Sequence, residues 1–115
     1  MILKQPRAIS WIKAAQKDFR AFPQSAQQKA ARALTLISAG ATPEIAKPLQ
    51  GLGTGVWELA IKDFGDAYRV MYVLQLDDDI WVIHAFMKKS TSGIATPKRD
   101  IDLVRERLKR LKELL

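Results

Sequence analysis

Near the start of the chain, apolar residues recur with the spacing of one helix face in two successive stretches. The first stretch comprises Ile12, Ala15, Phe19 and Phe22, and the second comprises Ala26, Ala30, Leu34 and Ile37. Ser10 is placed to cap the first predicted helix, whereas Pro23 suits the first turn of the second helix and Gly40 suits its end. The pattern therefore predicts a hairpin of two amphipathic helices.

Short segments in which apolar and polar residues alternate, or in which apolar residues run together, follow later in the chain and are typical of β-strands. The predicted strands are Val56–Lys62, Tyr68–Gln75 and Ile80–Phe86, and a short extra strand is expected near residues 7–10 at the sheet edge. Two brief turns connect the longer strands, which makes them antiparallel neighbours. The third is almost wholly apolar, which favours a central or covered position.

Residues 41–55, between the helices and the strands, are rich in proline and glycine and are interpreted as a loop. After the strands, Thr96 and Pro97 begin a third predicted helix. Its apolar face comprises Ile101, Val104, Leu108, Leu111 and Leu115. The order of elements predicts a single α+β domain over residues 1–115, in which two N-terminal helices pack on a small antiparallel sheet and a C-terminal helix closes the fold.

The charge of the chain is strongly basic and unevenly placed. Its net charge is +7 and its pI about 9.9, which indicates an anionic partner such as a nucleic acid or an acidic protein. Nine basic and three acidic residues lie in residues 1–62, and nine basic and four acidic residues lie in residues 88–115. Residues 63–87 hold five aspartates and a single cation, Arg69. A lone arginine in the most acidic and most strand-like part of the chain indicates a specific role.

Several classes of protein are excluded or disfavoured by what the sequence lacks. It has no cysteine, which excludes disulfides and cysteine-based zinc sites, and one histidine, His84, which disfavours a metal site. The glycine-rich stretch 51–55 lacks the spacing of a nucleotide-binding motif. Neither a signal peptide nor a membrane-spanning apolar run is recognisable. We therefore expect a cytoplasmic protein that uses no cofactor and does not associate with a membrane.

Isolated polar residues on or beside the predicted sheet are the candidates for chemistry, since no standard catalytic motif is present. They are Glu58, Arg69, His84, Lys88 and Lys89. If the second hairpin turns about Asp78, residue 69 lies opposite residue 87, and Arg69 is next to Lys88. The arginine can hold a phosphate with two hydrogen bonds, the lysine can stabilise developing charge, and the glutamate or the histidine can move a proton.

Structural explanations compete with each of these roles. Glu58 and Arg69 can form a simple cross-strand ion pair, and a histidine within an apolar strand is more often a hydrogen-bonded structural residue than a catalyst. Lys88 can belong to a solvated turn. Tyr68 and Tyr72 are more often core residues than platforms for nucleobases.

Four successive motifs of the chain, taken together, resemble the RelE/ParE superfamily, and most closely its phage-derived, HigB-like branch. They are Lys47–Gly53, Gly55–Leu59, Gly65–Tyr72 and His84–Ser90. The Thr96-Pro97 pair before the last helix is similar as well. The resemblance spans roughly residues 8–110 and implies two helices packed on an antiparallel sheet with a closing C-terminal helix.

The resemblance also implies a function. It is that of the toxin of a type II toxin–antitoxin pair, a metal-independent endoribonuclease that cleaves mRNA in the ribosomal A site and is neutralised by a helix-turn-helix antitoxin. Arg69 matches the arginine that contacts the scissile phosphate, Glu58 a candidate acid or base, and His84 a polar position often implicated. Lys88 and Lys89 match the basic residues after the last strand.

Further basic residues are candidate RNA contacts, namely Lys62, Lys98 and Arg99 beside Lys89. Two alternative functions stay open. A ParE-like toxin would inhibit DNA gyrase without catalysis, although the retained polar residues argue against that function. A degenerate member would serve only as a component of a repressor complex.

Overall fold

A computed structural model describes residues 5–53, 55–88 and 95–115. Within them the chain forms five strands and three helices. In chain order these are β1 (Ile9–Trp11), α1 (Lys13–Arg20), α2 (Gln24–Ser38), β2 (Ala46–Pro48), β3 (Val56–Asp63), β4 (Asp66–Val73), β5 (Ile80–Lys88) and α3 (Lys98–Leu114). The predicted α+β class is confirmed. The candidate residue Lys89 lies outside the described residues.

The five strands form one mixed sheet in the order β1-β5-β4-β3-β2. The three long strands are antiparallel neighbours, as predicted, but β1 runs parallel to β5, so the sheet is not purely antiparallel. Strand β2 lies inside the segment interpreted as a loop, and that interpretation was wrong for residues 46–48. A strand of three residues is too short to carry an alternating pattern. Pro48 has no N–H group to donate to a neighbouring strand, and it is tolerated here because β2 lies at the edge of the sheet.

Helices α1 and α2 cover one face of the sheet. Their alanines and phenylalanines pack with the buried residues Leu59, Val70 and Tyr72 of the central strands. Burial raises the pKa of Tyr72 to about 12, and Tyr68 lies against Phe22 with ring centroids 4.8 Å apart, so both tyrosines are core residues. The first helix differs from its prediction, because Ser10 lies in β1 and donates to Asp79 at 2.6 Å instead of capping the helix.

Helix α3 covers part of the opposite face of the sheet. Val104, Leu108 and Leu111 are buried against Met71 and Ile83, as the predicted apolar stripe requires. Leu115 does not belong to the stripe, because the helix ends at Leu114 and the Leu115 side chain is exposed.

A bulge in β5 changes the register expected for the second hairpin. Met71 pairs with His84 while its neighbour Tyr72 pairs with Val82, so Ile83 is an extra residue in the strand. As a result Ile83 and His84 both contact α3. Arg69 consequently lies opposite Phe86, and not opposite residue 87 as the arithmetic of a regular hairpin predicted. Lys88 lies opposite Ala67, on the same face as Arg69 because paired residues of antiparallel strands share a face.

Candidate catalytic site

Glu58 and Arg69 form an ion pair inside the sheet. Glu58 lies on β3 opposite Met71, and Arg69 lies on β4 opposite Ala60, so the two residues are diagonal neighbours on the α3 face. The guanidinium Nη1 of Arg69 donates to Glu58 Oε1. Glu58 is fully buried and Arg69 is 6% exposed. A buried carboxylate with a bonded guanidinium fixes the arginine in one orientation, since separating the pair would leave an uncompensated buried charge.

The second oxygen of Glu58 is held by a residue that the sequence did not identify as part of the site. The hydroxyl of Thr96 donates to Glu58 Oε2 at 2.6 Å. Thr96 lies two residues before Lys98, the first residue of α3, so this hydrogen bond ties the start of the helix to β3. Both carboxylate oxygens of Glu58 are therefore engaged, one by a cation and one by a hydroxyl. The Thr96-Pro97 motif was the available signal, but its spacing says nothing about a partner on a distant strand.

Lys88 is a buried cation at the end of β5, 5% exposed. Its burial is the main cause that lowers the pKa of its ammonium group below the usual value, and the positive charges of Arg69 and Lys47 lower it further, whereas the charge of Glu58 opposes this shift. Lys47 lies on β2 opposite Glu58 and is exposed. Three cations and one carboxylate thus interact here, and we call Glu58, Arg69, Lys88 and Lys47 the basic cluster.

His84 belongs to a second group of polar residues, in which it joins the sheet to α3. Its Nε2 lies 2.8 Å from Asp100 Oδ1, and its Nδ1 lies 3.1 Å from Nη1 of Arg107. Since a guanidinium can only donate, Nδ1 is the acceptor and the proton of the neutral ring is on Nε2, where it is donated to Asp100. The ring is 3% exposed and stacks on Phe86 with centroids 5.1 Å apart. We call His84, Asp100 and Arg107 the helix anchor.

The electrostatics of the helix anchor keep its histidine neutral at pH 7. Burial is the largest cause that lowers the pKa of His84, and the charge of Arg107 acts in the same direction, against the opposing effects of Asp100 and Asp18. Of the two interpretations of this histidine, the contacts favour the structural one. Neither Asp100 nor Arg107 was identified from the sequence, because the bulge that turns His84 toward α3 leaves no signal in the pattern of residues.

The remaining predicted RNA contacts are scattered. Lys62 is exposed and forms one cross-strand row with Ala67 and Lys88, so it continues the face of the basic cluster. Lys98 and Arg99 are exposed at the start of α3, and Lys98 Nζ lies 3.9 Å from Asp102. Lys62 is thus the one of these three that the strand register aligns with Lys88.

The described residues contain no group of three or more histidine, cysteine or acidic side chains placed to hold a metal ion. None of the helices in the described parts of the chain has the length and apolar character needed to cross a bilayer. The basic cluster itself supplies two buried cationic groups. These are a fixed guanidinium and a buried ammonium group, a pair suited to binding an anion such as a phosphate.

Comparison with protein families identifies the relatives of this chain. Residues 17–109 match the family described as "Phage derived protein Gp49-like (DUF891)". The chain belongs to this family. The match covers α2, all strands from β2 to β5 and most of α3, and so includes the basic cluster and the helix anchor. No individually curated protein matches the chain in sequence.

Solved structures of RelE toxins share the fold of this Gp49-like protein. A mutant of Escherichia coli toxin RelE in the free state matches with a TM-score of 0.61 and 14% identity, over 91% of this chain and 97% of RelE. The intact E. coli RelBE toxin–antitoxin complex matches with a TM-score of 0.55 and 15% identity, over 72% of this chain and 98% of the matched chain. The RelBE2 toxin–antitoxin complex of Mycobacterium tuberculosis matches with a TM-score of 0.54 and 13% identity, over 72% of this chain and 99% of the matched chain. The resemblance to the RelE superfamily drawn from the sequence is confirmed.

Proposed function

We propose that this Gp49-like protein is the toxin of a toxin–antitoxin pair and that it cleaves mRNA in the ribosomal A site without a metal ion. The observation that carries the proposal is the basic cluster, in which Arg69 is fixed by Glu58 and lies on the same sheet face as the buried Lys88. Membership of a phage-derived family and the RelE-like fold support it. The scissile phosphate of RNA is an anion of the kind that a guanidinium and an ammonium group on one sheet face can bind.

In the proposed reaction Arg69 binds two oxygens of the scissile phosphate. The 2′-hydroxyl of the preceding ribose gives its proton to a solvent water, and the 2′-oxygen attacks phosphorus. The bond to the 5′-oxygen breaks, and the products carry a 2′,3′-cyclic phosphate and a 5′-hydroxyl. The ammonium group of Lys88 donates a proton to the departing 5′-oxygen. A lysine with a lowered pKa is a stronger acid than an ordinary lysine, which suits this role. The guanidinium stabilises the charge that develops on the phosphorane.

Glu58 and His84 receive positioning roles in this proposal. Glu58 is closed to solvent and both of its oxygens are engaged, so we assign it the orientation of Arg69 and not proton transfer. His84 is held at both ring nitrogens by residues of α3, and we assign it the docking of that helix.

The partners follow from the same proposal. We infer that the protein acts in the cytoplasm, where ribosomes supply its substrate, and that a helix-turn-helix antitoxin neutralises it. Two of the matched structures are complexes of a toxin with its antitoxin, which supports a protein partner for this chain as well. The net charge of +7 fits both an RNA substrate and an acidic segment of a protein inhibitor.

The test is tightly induced expression of the wild type beside Arg69→Ala and Lys88→Ala in a bacterial host, with growth followed and the 5′ ends of cellular messages mapped. Arg105→Ala is the matched control, since this arginine is exposed on α3. We expect growth arrest and new 5′-hydroxyl ends within translated frames, both lost in the Arg69 variant and kept in the control. Growth arrest with intact messages would contradict cleavage and favour inhibition of DNA gyrase. The absence of any arrest would contradict the toxin assignment.

A further inference from the structure

An aromatic side chain is held in a strained conformation at the tip of the β3–β4 hairpin. Phe64 is 91% exposed and has a positive φ of 48°, and the following Gly65 has a φ of 83°. Asp63 and Asp66 are paired across the hairpin, so Phe64 and Gly65 form its complete loop. Two-residue loops with positive φ at both positions favour Asn-Gly or Gly-Gly, because a large side chain is strained there. A Phe at this position costs stability and gains no buried contact in return.

The end of the hairpin is anchored firmly to α2. The Asp63 carboxylate accepts a hydrogen bond from Ser25 Oγ at 2.6 Å and lies 3.0 Å from Lys29 Nζ, which also donates to the carbonyl oxygen of Lys62 at 2.8 Å. The bond from Ser25 is the largest cause that lowers the pKa of Asp63. Strained residues persist where the surrounding structure determines their conformation, and they concentrate at functional sites. Phe64 is thus presented to solvent from a fixed support.

The strand register places this tip in line with the basic cluster. Lys62, Ala67 and Lys88 form the cross-strand row nearest the tip on the α3 face, and Ala60 and Arg69 share the next row. Ala67 lies between Lys62 and Lys88 in the first row, so only a short side chain separates these two cations. Gly65 precedes Arg69 by four residues, so the tip lies roughly 14 Å along the strand from the arginine. A short length of single-stranded RNA whose phosphate sits on Arg69 can reach the tip and pass Lys62 on the way.

We propose that Phe64 is a stacking platform for a nucleobase of the RNA substrate, at a position displaced from the scissile phosphate toward the hairpin tip. This inference rests on the proposed function and names one contact of its substrate. The tip suits a base and not a phosphate, because Asp66 is an exposed carboxylate beside it. A protein helix would need several apolar contacts, whereas here one ring stands between two aspartates and beside the exposed Lys62. A lone aromatic ring next to a cationic path is the arrangement by which proteins bind single strands without reading their sequence.

The test is binding of a labelled single-stranded RNA whose 2′-oxygens are all methylated, which removes the attacking hydroxyl and prevents cleavage. Phe64→Asn is compared with wild type, with Phe64→Trp, and with Leu114→Asn, a matched control in which a side chain of 82% exposure is replaced far along α3. We expect Phe64→Asn to weaken binding by about tenfold, in the range of one lost base stack. We expect Phe64→Trp to bind RNA as tightly as wild type does. The fluorescence of the added tryptophan should be quenched when RNA binds. Leu114→Asn binds like wild type.

The stability of the same variants separates loss of stacking from loss of fold. Asn-Gly is the preferred pair for this turn, so Phe64→Asn raises or preserves the melting temperature while it weakens RNA binding. Equal RNA affinity of Phe64→Asn and wild type overturns the inference. The inference also fails if Phe64→Asn still binds RNA but no longer binds the antitoxin. If wild type binds the RNA through Phe64 but mapped 5′ ends reveal no cleavage in cells, the stacking contact holds and the proposed nuclease activity fails.

Discussion

Two groups of polar residues, each built around buried side chains, lie on the same face of the sheet, and they differ in the balance of their charges. The helix anchor pairs a neutral histidine with one carboxylate, Asp100, and one guanidinium, Arg107, so its formal charges cancel. The basic cluster joins three cations to the single carboxylate of Glu58. The formal charges of the basic cluster therefore leave an excess of positive charge, whereas those of the helix anchor balance. Under the proposed function, this excess of positive charge serves to bind the scissile phosphate.

The two groups also differ in what holds them. The contacts of the helix anchor join β5 to α3. Those of the basic cluster span four strands, from Lys47 on β2 to Lys88 on β5, and Thr96 ties Glu58 to the segment just before α3. Mutations in the first group should therefore change folding, and mutations in the second should change chemistry. We therefore expect the largest effect on cleavage at Arg69 and the smallest at His84.

Arg69→Lys is expected to reduce cleavage by about a hundredfold or more, although the charge is kept. A lysine cannot present the planar pair of donors that binds two phosphate oxygens, and its ammonium group would also hold Glu58 differently. The measurement is the rate of message cleavage on purified ribosomes, with circular dichroism and thermal unfolding to establish that the fold is retained. Activity of Arg69→Lys close to that of wild type would show that charge alone is required.

Lys88→Arg is expected to change the pH dependence of cleavage. With its pKa lowered by burial and by Arg69, the ammonium group of wild-type Lys88 loses its proton at a lower pH than an ordinary lysine. Cleavage that needs the charged form therefore declines as the pH rises through this lowered pKa. An arginine stays charged throughout, so the decline disappears in the variant, while the maximal rate falls because a guanidinium is a poor proton donor. An unchanged alkaline decline in Lys88→Arg would remove Lys88 from the proposed proton transfer.

The sequence predicted the elements that carry the basic cluster better than it predicted the contacts within it. Alternation of apolar residues placed Glu58 and Arg69 on adjacent strands, and the lone cation between five aspartates marked Arg69. The bulge at Ile83 could not be predicted, because an inserted residue in an apolar strand leaves its hydrophobic pattern intact. For the same reason the partners of His84 and the register of Lys88 were missed.

Contacts between distant segments were the second class of feature that the sequence hid. Thr96 lies 38 positions from Glu58, and no periodicity connects a residue before a helix with a strand that is so distant in sequence. Strand β2 was missed because three residues are too few for a repeat. The sequence thus predicted the sheet face of a side chain where local spacing fixes it, and missed the partners of a side chain where the packing of α3 on the sheet decides them.

Thr96→Val is expected to reduce cleavage by about tenfold, a smaller loss than at Arg69. The substitution keeps the shape of the side chain but removes the hydroxyl that donates to Glu58 Oε2, so the carboxylate and the arginine bonded to it become less firmly oriented. The effect should fall on the maximal rate more than on the affinity for ribosomes. Thr96→Ser restores the hydroxyl and should restore most of the rate. Equal rates in the Val and Ser variants would argue that Thr96 contributes packing only.

His84→Gln tests the other side of the comparison, with the smallest expected effect on cleavage and a clear effect on stability. The pKa of His84 in the folded chain lies below its ordinary value of 6.5, so the unfolded chain binds more protons between these two values. Wild-type stability is therefore complete above pH 6.5 and is lost as the pH falls toward the folded pKa. Glutamine cannot titrate, so the variant loses this part of the pH dependence.

The variant should also be less stable than wild type at pH 7, by about 1–3 kcal/mol, because glutamine cannot satisfy Asp100 and Arg107 with the geometry of the ring. Urea unfolding at pH 7.5 and pH 5.5 measures both effects. Cleavage at pH 7.5, under conditions where the variant is folded, should remain near the wild-type rate. A loss of cleavage as large as that of Arg69→Lys, with unfolding free energy unchanged, would move His84 from the helix anchor into the catalytic machinery, and the division between the two buried groups would no longer hold.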